Sequence, residues 1–498
     1  MAGDAGPIEI TVTFSEKYED EWPDEIASAL GDIIVFDDET LLREIRLRVT
    51  STPAGPGRTE EYDWTFLDGS GLPFKTKHFN LLARLQRLRP YYYLNTIRDA
   101  SREFSKRSTF FSPFISDPTF GDDTRDQLIE SLESINQTVM DSHASFETLR
   151  MSLNAATVVI RQAADSVKIE AVPARLSDLL SNTQISFQNR NGAVLPVDKQ
   201  GSGAQSLSVL QLFHAFVAAK LTSLFDPLSA PILAIEEPEA HLHPSAARLV
   251  WSLLSGMPGQ RIITSHSGDL LSEVPLSAIR RMKTGSDGNI SCSRIESARF
   301  SEQEMRHINY HVRRTRGELF FANAWLLVEG KTEASSLPEF AKARGQDLIS
   351  AGVRIIEYAQ GGGPAPYIKL ADMLGIAWHC LCDGDAAGLK NRDIAVQQIG
   401  NREPQDYITL LDPGNYESFM CKHGFFDCYE PYIALQKRLT ITEPEGSDEY
   451  FIQVSRALID GCKEEVAYLI CDEIHRDRAR LPGLLGGLIT RLNVAATN

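Results

Sequence analysis

Two acidic clusters, each directly after a short apolar run, are the part of this chain best suited to chemistry. Glu329 and Glu333 follow the run at 325–328, and Asp383 and Asp385 follow the run at 378–382. Such runs predict buried strands of a parallel sheet, whose carboxyl ends line a crevice. Four carboxylates gathered there repel one another strongly unless a cation lies between them. Oxygen ligands favour Mg²⁺ or Mn²⁺, so the pattern predicts a metal-dependent phosphoryl-transfer site.

Size and composition place the chain among globular proteins with two or three domains. It has 498 residues, of which 43% are hydrophobic and 23% charged. No apolar run approaches the ~20 residues needed to span a bilayer, and the polar start does not resemble a signal peptide. We therefore expect a cytoplasmic protein. Its seven cysteines show no zinc-type spacing, which predicts reduced thiols.

The net charge of −17 argues against a protein that coats nucleic acid by bulk electrostatics. It does not exclude a nuclease, because bound cations and a local basic patch can supply the attraction. A solvated linker helix explains the candidate patch about equally well. The patch consists of Arg306, His307, His311, Arg313, Arg314 and Arg316.

Hydrophobic periodicity gives a coarse order of elements along the chain. Residues 8–14 alternate as a strand does, and more strand-like runs follow to about residue 65. The pattern from about 124 to 170 is helical, which predicts an arm, a dimer surface or a helical subdomain. Residues 185–197 predict a hairpin, with Asn191-Gly192 as its turn.

A second set of motifs resembles the nucleotide site of ABC-type ATPases. A strand at 232–235 leads to two adjacent acids, Glu236 and Glu237, suited to holding Mg²⁺ and polarising water. A strand at 261–264 leads to a histidine suited to sensing a γ-phosphate, and a Gly-Ser-Gly loop precedes an apolar helix at 207–218. The residues predicted to contact nucleotide are Ser202, Gly203, Gln205, Glu236, Glu237, His243 and His266.

The phosphate-cradling loop G-x-x-x-x-G-K-[S/T] does not occur in this sequence. The region expected to carry it would precede residue 1. Either an amino-terminal portion is lost or encoded separately, or the ATPase half is degenerate. We expect this chain to bind ATP poorly or not at all, unless a Walker A segment is supplied.

Together these motifs resemble the overcoming-lysogenisation-defect (OLD) nucleases, which combine an ABC-type ATPase with a Toprim domain. The matching residues are Glu236 to His243, His266, Glu318 to Ala322 and the two acidic clusters. The resemblance implies a mixed α/β fold: a partial ABC-type ATPase domain with a helical insertion, then a Toprim domain with a parallel sheet flanked by helices. The expected boundaries are 1–120 for the amino-terminal ATPase lobe, 121–180 for the helical arm or dimerisation insertion, 181–300 for the carboxyl-terminal lobe and 301–498 for the Toprim domain with its last helices.

The resemblance also implies hydrolysis of DNA phosphodiesters with two divalent ions. Glu329, Asp383 and Lys463 are the implied catalytic residues. A plain surface lysine at a helix start explains Lys463 about equally well. The implied metal ligands are Glu329, Glu333, Asp383, Asp385 and Glu417.

The favoured function is therefore a DNA endonuclease, with a role in defence against phage or foreign DNA implied by the resemblance alone. An SMC-like DNA-repair ATPase without nuclease activity is the alternative, but it leaves the acids after residue 325 without a purpose. A Toprim primase or topoisomerase is disfavoured, because no zinc spacing or strand-attacking tyrosine segment is visible. We expect a homodimer or higher homo-oligomer, DNA as partner and no membrane association. A helicase-like partner, or one built on a reverse transcriptase and non-coding RNA, stays open.

Overall fold

The structure is a computed structural model that describes residues 7–52, 61–96, 99–115, 121–142, 183–188, 194–219, 227–285, 287–315, 317–359 and 362–497. The chain divides into two compact units, Met1–Ser265 and His266–Asn498. The finer division at residues 120, 180 and 300 stays a prediction.

The first unit begins with an antiparallel sheet in which β3 pairs with all three other strands. The strands are β1 (Ile8–Ser15), β2 (Val35–Phe36), β3 (Arg43–Thr52) and β4 (Glu61–Leu67). β1 confirms the strand predicted from the alternation at 8–14. Trp22, Ile26 and Ile45 lie in the core of this sheet.

A parallel sheet of order β5-β8-β9 and a hairpin complete the strands of the first unit. They are β5 (Tyr91–Leu94), β6 (Ser186–Gln188), β7 (Val194–Pro196), β8 (Ile232–Glu236) and β9 (Gln260–Thr264). Antiparallel pairing of β6 with β7 confirms the predicted hairpin. Its Asn191-Gly192 turn lies outside the described residues.

Two helices described in the first unit, at 122–142 and 202–219, cover stretches that were predicted to be helical. The helical stretch predicted from residue 124 begins as α5, while its part from 143 to 170 lies outside the described residues. The helices are α1 (Asp24–Leu30), α2 (Phe79–Leu88), α3 (Ala100–Glu103), α4 (Ser112–Ile115), α5 (Asp122–Ser142), α6 (Ser202–Ala219) and α7 (Pro244–Ser255).

The second unit is built on a four-stranded parallel sheet of order β13-β12-β14-β15. This confirms the parallel sheet predicted for the carboxyl-terminal half. A separate antiparallel hairpin of β10 and β11 comes before this sheet in the chain. The strands are β10 (Arg280–Thr284), β11 (Ile290–Arg294), β12 (Ala324–Val328), β13 (Val353–Glu357), β14 (Ala377–Cys382) and β15 (Ile408–Leu410).

Helices connect and flank this sheet. They are α8 (Gly268–Leu271), α9 (Glu302–Arg314), α10 (Lys331–Ala343), α11 (Ala365–Leu374), α12 (Ala386–Gln398), α13 (Pro404–Tyr407), α14 (Tyr416–Met420), α15 (Phe426–Tyr429), α16 (Asp448–Ala457), α17 (Cys462–Arg476) and α18 (Gly483–Thr497). Among the helices described, none combines the length and apolarity needed to cross a lipid bilayer.

The central strand β12 is buried along its whole length, as a strand covered on both faces must be. Its alternate residues enter two separate hydrophobic cores. Leu326 and Val328 pack in one core with residues of α10, α17 and α18. Trp325 and Leu327 pack in the other with residues of α9 and α11. Each large side chain buried in this way contributes roughly 1.5–3 kcal/mol to stability, so the position of the strand end is firmly held.

Candidate active site

Two neighbouring strands deliver the predicted acids to the same edge of the sheet. Glu329 directly follows β12, and Glu333 lies in the first turn of α10. Asp383 directly follows β14, and Asp385 is the N-cap of α12. Because β12 and β14 pair in parallel, their carboxyl ends meet at one edge of the sheet. The structure therefore brings the four acids of the two clusters to one edge of the sheet, which we call the acidic crevice.

Glu417 and Lys463, expected only from the resemblance, form an ion pair. Glu417 lies near the start of α14 and Lys463 near the start of α17. The Lys463 Nζ lies 2.9 Å from Glu417 Oε2, and the side chains are 48% and 4% exposed. Asn415 caps α14 by accepting a hydrogen bond from the Ser418 N–H, which fixes the start of that helix.

Burial and mutual repulsion raise the pKa values of the central acids. Burial, followed by the charges of Glu333, Glu329 and other acids, raises the pKa of Asp383 to about 9. Burial, followed by the charges of Glu417 and Glu329, raises the pKa of Glu333 to about 7, with Lys463 opposing. Asp385 contributes to the raised pKa of Asp383 as well. The five acids therefore act on one another as a single electrostatic cluster.

Glu329 is held by its neighbours. Burial, followed by the charge of Asp385, raises its pKa. Hydrogen bonds from the backbone N–H of Asp383 and the side chain of Asn391 oppose this rise. Sequence reasoning did not find Asn391, since a polar residue in the second turn of α12 carries no local signal of such a contact.

The cluster offers oxygen ligands of the kind that a hard divalent cation prefers. Glu329 Oε2 and Asp383 Oδ1 are buried, and neither has a hydrogen-bond partner in the structure. A carboxylate oxygen in such a position is costly unless a cation meets it. However, the described part of the chain contains no three His, Cys, Asp or Glu side chains already grouped around one ion position. The donor chemistry of Glu329 and Asp383 thus fits Mg²⁺ or Mn²⁺.

Close backbone packing fixes the loop that carries the second acidic cluster. A Cβ at residue 384 would lie 2.2 Å from the Leu411 carbonyl oxygen, which only glycine avoids. The N–H of Gly384 donates to the carbonyl of Gly414, in the loop that leads to Glu417. A Cβ at residue 388 would lie 2.1 Å from the carbonyl oxygen of Asp383. The loops bearing Asp383 and Glu417 are therefore locked together through their backbones.

Asp385 has a structural role in addition to its predicted one. Its Oδ1 accepts hydrogen bonds from the N–H groups of Ala387 at 3.0 Å and Gly388 at 2.8 Å. This caps α12 and places the acid at the positive end of the helix dipole. The side chain is exposed, unlike those of Glu333 and Asp383.

In the first unit, the two adjacent acids lie where the strand pattern predicts. Glu236 ends β8, and its Oε2 accepts a hydrogen bond from the Tyr93 hydroxyl at 2.7 Å. The N–H of Glu237 donates to the Thr264 carbonyl at the end of β9, at 3.0 Å. Glu237 has a positive φ of 41°, which is uncommon for a residue other than glycine.

The predicted signature loop packs against the segment that follows β8. A Cβ at Gly203 would lie 2.8 Å from the His241 carbonyl oxygen, so this approach favours glycine. Ser202 is the first residue of α6 and is exposed. The Gln205 side chain donates to the carbonyl of Gln200 at 2.8 Å, which ties it to the loop before the helix.

The two predicted histidines differ in their surroundings. His243 is the N-cap of α7, where its Nδ1 accepts a hydrogen bond from the Ser245 N–H at 3.3 Å. Helix capping is a sufficient structural reason for this residue. His266 is exposed, lies two residues beyond β9 and begins the second compact unit. Nucleotide contact by these residues, and by those of the signature loop, stays a prediction.

Comparison with known families divides the chain near residue 320. The profile of the family described as "Protein of unknown function (DUF2813)" matches residues 3–318. The profile described as "Overcoming lysogenization defect protein-like, TOPRIM domain" matches residues 320–385, the segment that holds both acidic clusters.

Two individual relatives align with parts of this chain. "Uncharacterized protein YbjD" of Escherichia coli (strain K12) is 32% identical over 373 residues, which cover 73% of this chain and 65% of the relative. "Old nuclease" of Escherichia phage P2 is 26% identical over 231 residues, which cover 44% of this chain and 39% of the relative. This chain therefore matches less than two thirds of the length of either protein.

Among solved structures, the C-terminal region of the Burkholderia pseudomallei OLD protein aligns with this chain at 20% identity and a TM-score of 0.29. The alignment covers 35% of this chain and 99% of that one.

Proposed function

We propose that this chain, which belongs to the family described as protein of unknown function DUF2813 and carries a TOPRIM domain of the OLD type, hydrolyses DNA phosphodiesters with divalent metal ions. The observation that carries the proposal is the cluster of five mutually repelling acids around Asp383. A buried cluster of this kind lowers the stability of the fold, and such clusters are typical of functional sites. A metal-dependent nuclease site accounts for these acids. The name of the phage P2 relative, "Old nuclease", agrees with this function.

Glu329, Glu333, Asp383, Asp385 and Glu417 would hold Mg²⁺ or Mn²⁺. When bound, a pair of such ions lowers the pKa of an attacking water and stabilises the leaving oxygen. Glu329 and Asp383 are best placed for direct coordination, because each has a buried oxygen with no hydrogen-bond partner. Asn391 orients Glu329 through its hydrogen bond to that carboxylate.

Lys463 would supply positive charge to the phosphate that is attacked. Its ammonium group is held at the crevice by the buried Glu417, yet its side chain is 48% exposed and open to substrate. A fixed cation facing the phosphate favours a transition state in which negative charge grows. We therefore assign Lys463 a catalytic role beside Glu329 and Asp383.

The whole protein would act as an endonuclease that nicks or cuts duplex DNA in defence against phage or other foreign DNA. The first unit would regulate cutting as an ATPase-like module in a homodimer, with ATP bound only if a Walker A segment is supplied. Association with a helicase-like partner, or with one that contains a reverse transcriptase and non-coding RNA, would fit such a module. The alternative, an SMC-like repair ATPase without nuclease activity, leaves the buried acids unexplained.

Cleavage of supercoiled plasmid with Mg²⁺ or Mn²⁺ tests the nuclease. We expect nicked or linear product from the wild type and a loss of at least about 100-fold for Glu329→Ala. The matched control is Glu339→Ala on α10, since Glu339 pairs with Lys342 at 2.8 Å and lies outside the acidic cluster. Cutting that survives Glu329→Ala, or re-sealed topoisomers in place of cut DNA, would overturn the proposal.

A further inference from the structure

We propose that the outer face of α9 binds the phosphate backbone of duplex DNA and leads it to the acidic crevice. This face, which we name the α9 stripe, consists of Arg306, Asn309, Tyr310, Arg313 and Arg314. The proposal rests on the proposed nuclease function, because it assigns the surface that holds the substrate of that site.

Helical spacing and packing orient the stripe toward solvent. Its members are three or four residues apart, so they share one side of the helix. On the opposite side, Ile308 and Val312 are buried in the core that also contains Trp325 and Leu327 of β12. The Tyr310 side chain is 59% exposed. A Ser301–Glu304 capping box fixes the start of α9, the helix that carries the stripe.

The structure corrects the basic patch predicted from the sequence. His311 is 7% exposed and packs against the ring of Tyr367. Burial, followed by the charge of Arg314, lowers the pKa of His311 to about 4, so this residue is neutral at physiological pH. Its inclusion in a surface patch is therefore wrong. Arg316 lies outside the described residues.

A short glycine turn joins α9 to the acidic crevice. A Cβ at Gly362 would lie 3.1 Å from His307 Nδ1 on α9, and one at Gly363 would lie 3.6 Å from Asn391 Oδ1 on α12. Asn391 is the side chain that donates to Glu329. Both glycines have positive φ, of 78° and 101°, so the turn requires them. The contacts therefore lead from α9 through the two glycines to Asn391, and from Asn391 to Glu329.

A second connection runs through the sheet. Arg314 Nη2 lies 3.8 Å from Glu357 Oε2 at the end of β13. Glu357 is the register partner of Val328, which directly precedes Glu329. The carboxyl-terminal end of the α9 stripe therefore lies beside the neighbouring strand end of the same sheet.

The arginines of the stripe are accessible to phosphate. Arg306 pairs with Glu302, but the side chains are 78% and 89% exposed, and such surface pairs are weak. Arg313 is exposed and forms no ion pair within the described residues. One guanidinium group can donate two parallel hydrogen bonds to the oxygens of a phosphate, and the hydroxyl of Tyr310 adds a further donor. In a chain of net charge −17, such a local surface can supply the attraction for DNA that the chain as a whole lacks.

Salt-dependent binding tests the stripe. The probe is a fluorescein-labelled duplex of about 30 base pairs, titrated by anisotropy between about 50 and 200 mM KCl with full-length chain carrying Glu333→Gln to suppress cutting. Adding Arg306→Gln and Arg313→Gln should reduce the slope of log K against log salt by about 1.8, because each lost phosphate contact removes about 0.9. The affinity at about 100 mM salt should fall at least tenfold.

The matched control is Arg476→Gln with Arg478→Gln, two exposed arginines at the end of α17 and just beyond it. This pair changes the net charge equally but should leave the slope unchanged. Equal slopes for stripe and control variants, with melting temperatures intact, would overturn the stripe. Normal plasmid cleavage by Glu329→Ala would instead overturn the proposed nuclease function. That result does not depend on the slope of log K against log salt.

Discussion

The ammonium of Lys463 and the carboxylate of Glu417 lie 2.9 Å apart and join two helix starts that are 46 residues apart in the chain. Glu417 is almost fully buried, whereas Lys463 is half exposed. The lysine therefore compensates a charge that the fold has taken out of water, and it does so at the rim of the acidic crevice.

Replacing Lys463 with methionine should lower both the stability of the protein and its plasmid cleavage. Loss of the ammonium leaves the buried Glu417 carboxylate uncompensated, so we expect a loss of roughly 1 kcal/mol in unfolding free energy, discounted because Lys463 is half exposed. Urea unfolding measures this change. Adding Glu417→Gln should restore stability but not plasmid cleavage. If Lys463→Met alone cuts DNA as the wild type does, the catalytic role of Lys463 is wrong.

Metal-free protein should lose stability as the pH rises, because of Glu333 and Asp383. Their ordinary pKa values are 4.5 and 3.8, and in the fold these rise to about 7 and about 9. From about pH 7 to about pH 9 these two carboxyls keep protons in the folded chain that they lose in the unfolded chain, so the free energy of unfolding falls as the pH rises through this range. We expect Glu333→Gln or Asp383→Asn to raise the melting temperature at pH 8 in EDTA by about 2 °C or more.

Scanning fluorimetry from pH 5 to pH 9 checks this expectation, and titration calorimetry with Mg²⁺ shows whether the same variants lose metal binding. The control is Glu339→Gln, since Lys342 lowers the pKa of Glu339 and the substitution should slightly destabilise the protein. A wild-type melting temperature that increases between pH 7 and pH 9 without metal would contradict the raised pKa values.

Gly384→Ala should disrupt the loop that carries Asp383 and Asp385. The added Cβ would lie 2.2 Å from the Leu411 carbonyl oxygen, which the backbone relieves only by moving. We expect a loss of about 1–3 kcal/mol in unfolding free energy, together with loss of cleavage. Gly487→Ala is the control, because a Cβ there meets no atom within 4 Å and the site lies inside α18. It should be neutral or stabilising by up to about 1 kcal/mol.

Asn391→Ala tests the positioning of Glu329. The Asn391 hydrogen bond lowers the pKa of Glu329, so its removal should raise that pKa and move the acidic limb of the pH–rate profile to higher pH. We expect roughly tenfold slower cleavage at neutral pH, with a smaller loss at pH 9. Gln398→Ala, at the last residue of α12, should leave the profile in place. A uniform loss at every pH would indicate a purely structural role.

The sequence was sufficient to predict the strands that carry the acids. Runs such as 325–328 and 378–382 are apolar throughout because both faces of a parallel sheet are covered, and that property is visible in the residues themselves. The register that brings Glu329 and Asp383 to one edge follows from parallel pairing, which the same pattern indicates.

Contacts between distant segments could not be predicted in this way. Asn391 donates to Glu329 across 62 positions of the chain, and His311 is buried by the packing of α9, although its neighbours Arg313 and Arg314 are exposed. The capping role of His243 was likewise missed, because histidine is an unusual N-cap and the segment resembles a nucleotide-site motif. Each of these outcomes depends on which surfaces meet in the folded chain.

The strand that directly precedes Glu329 sends successive side chains into two different hydrophobic layers. Damage to either layer therefore displaces the same acid. Inactivating alleles recovered from a random-mutagenesis screen should consequently scatter over both sides of the sheet, at interior sites with no access to DNA, and not only around the crevice.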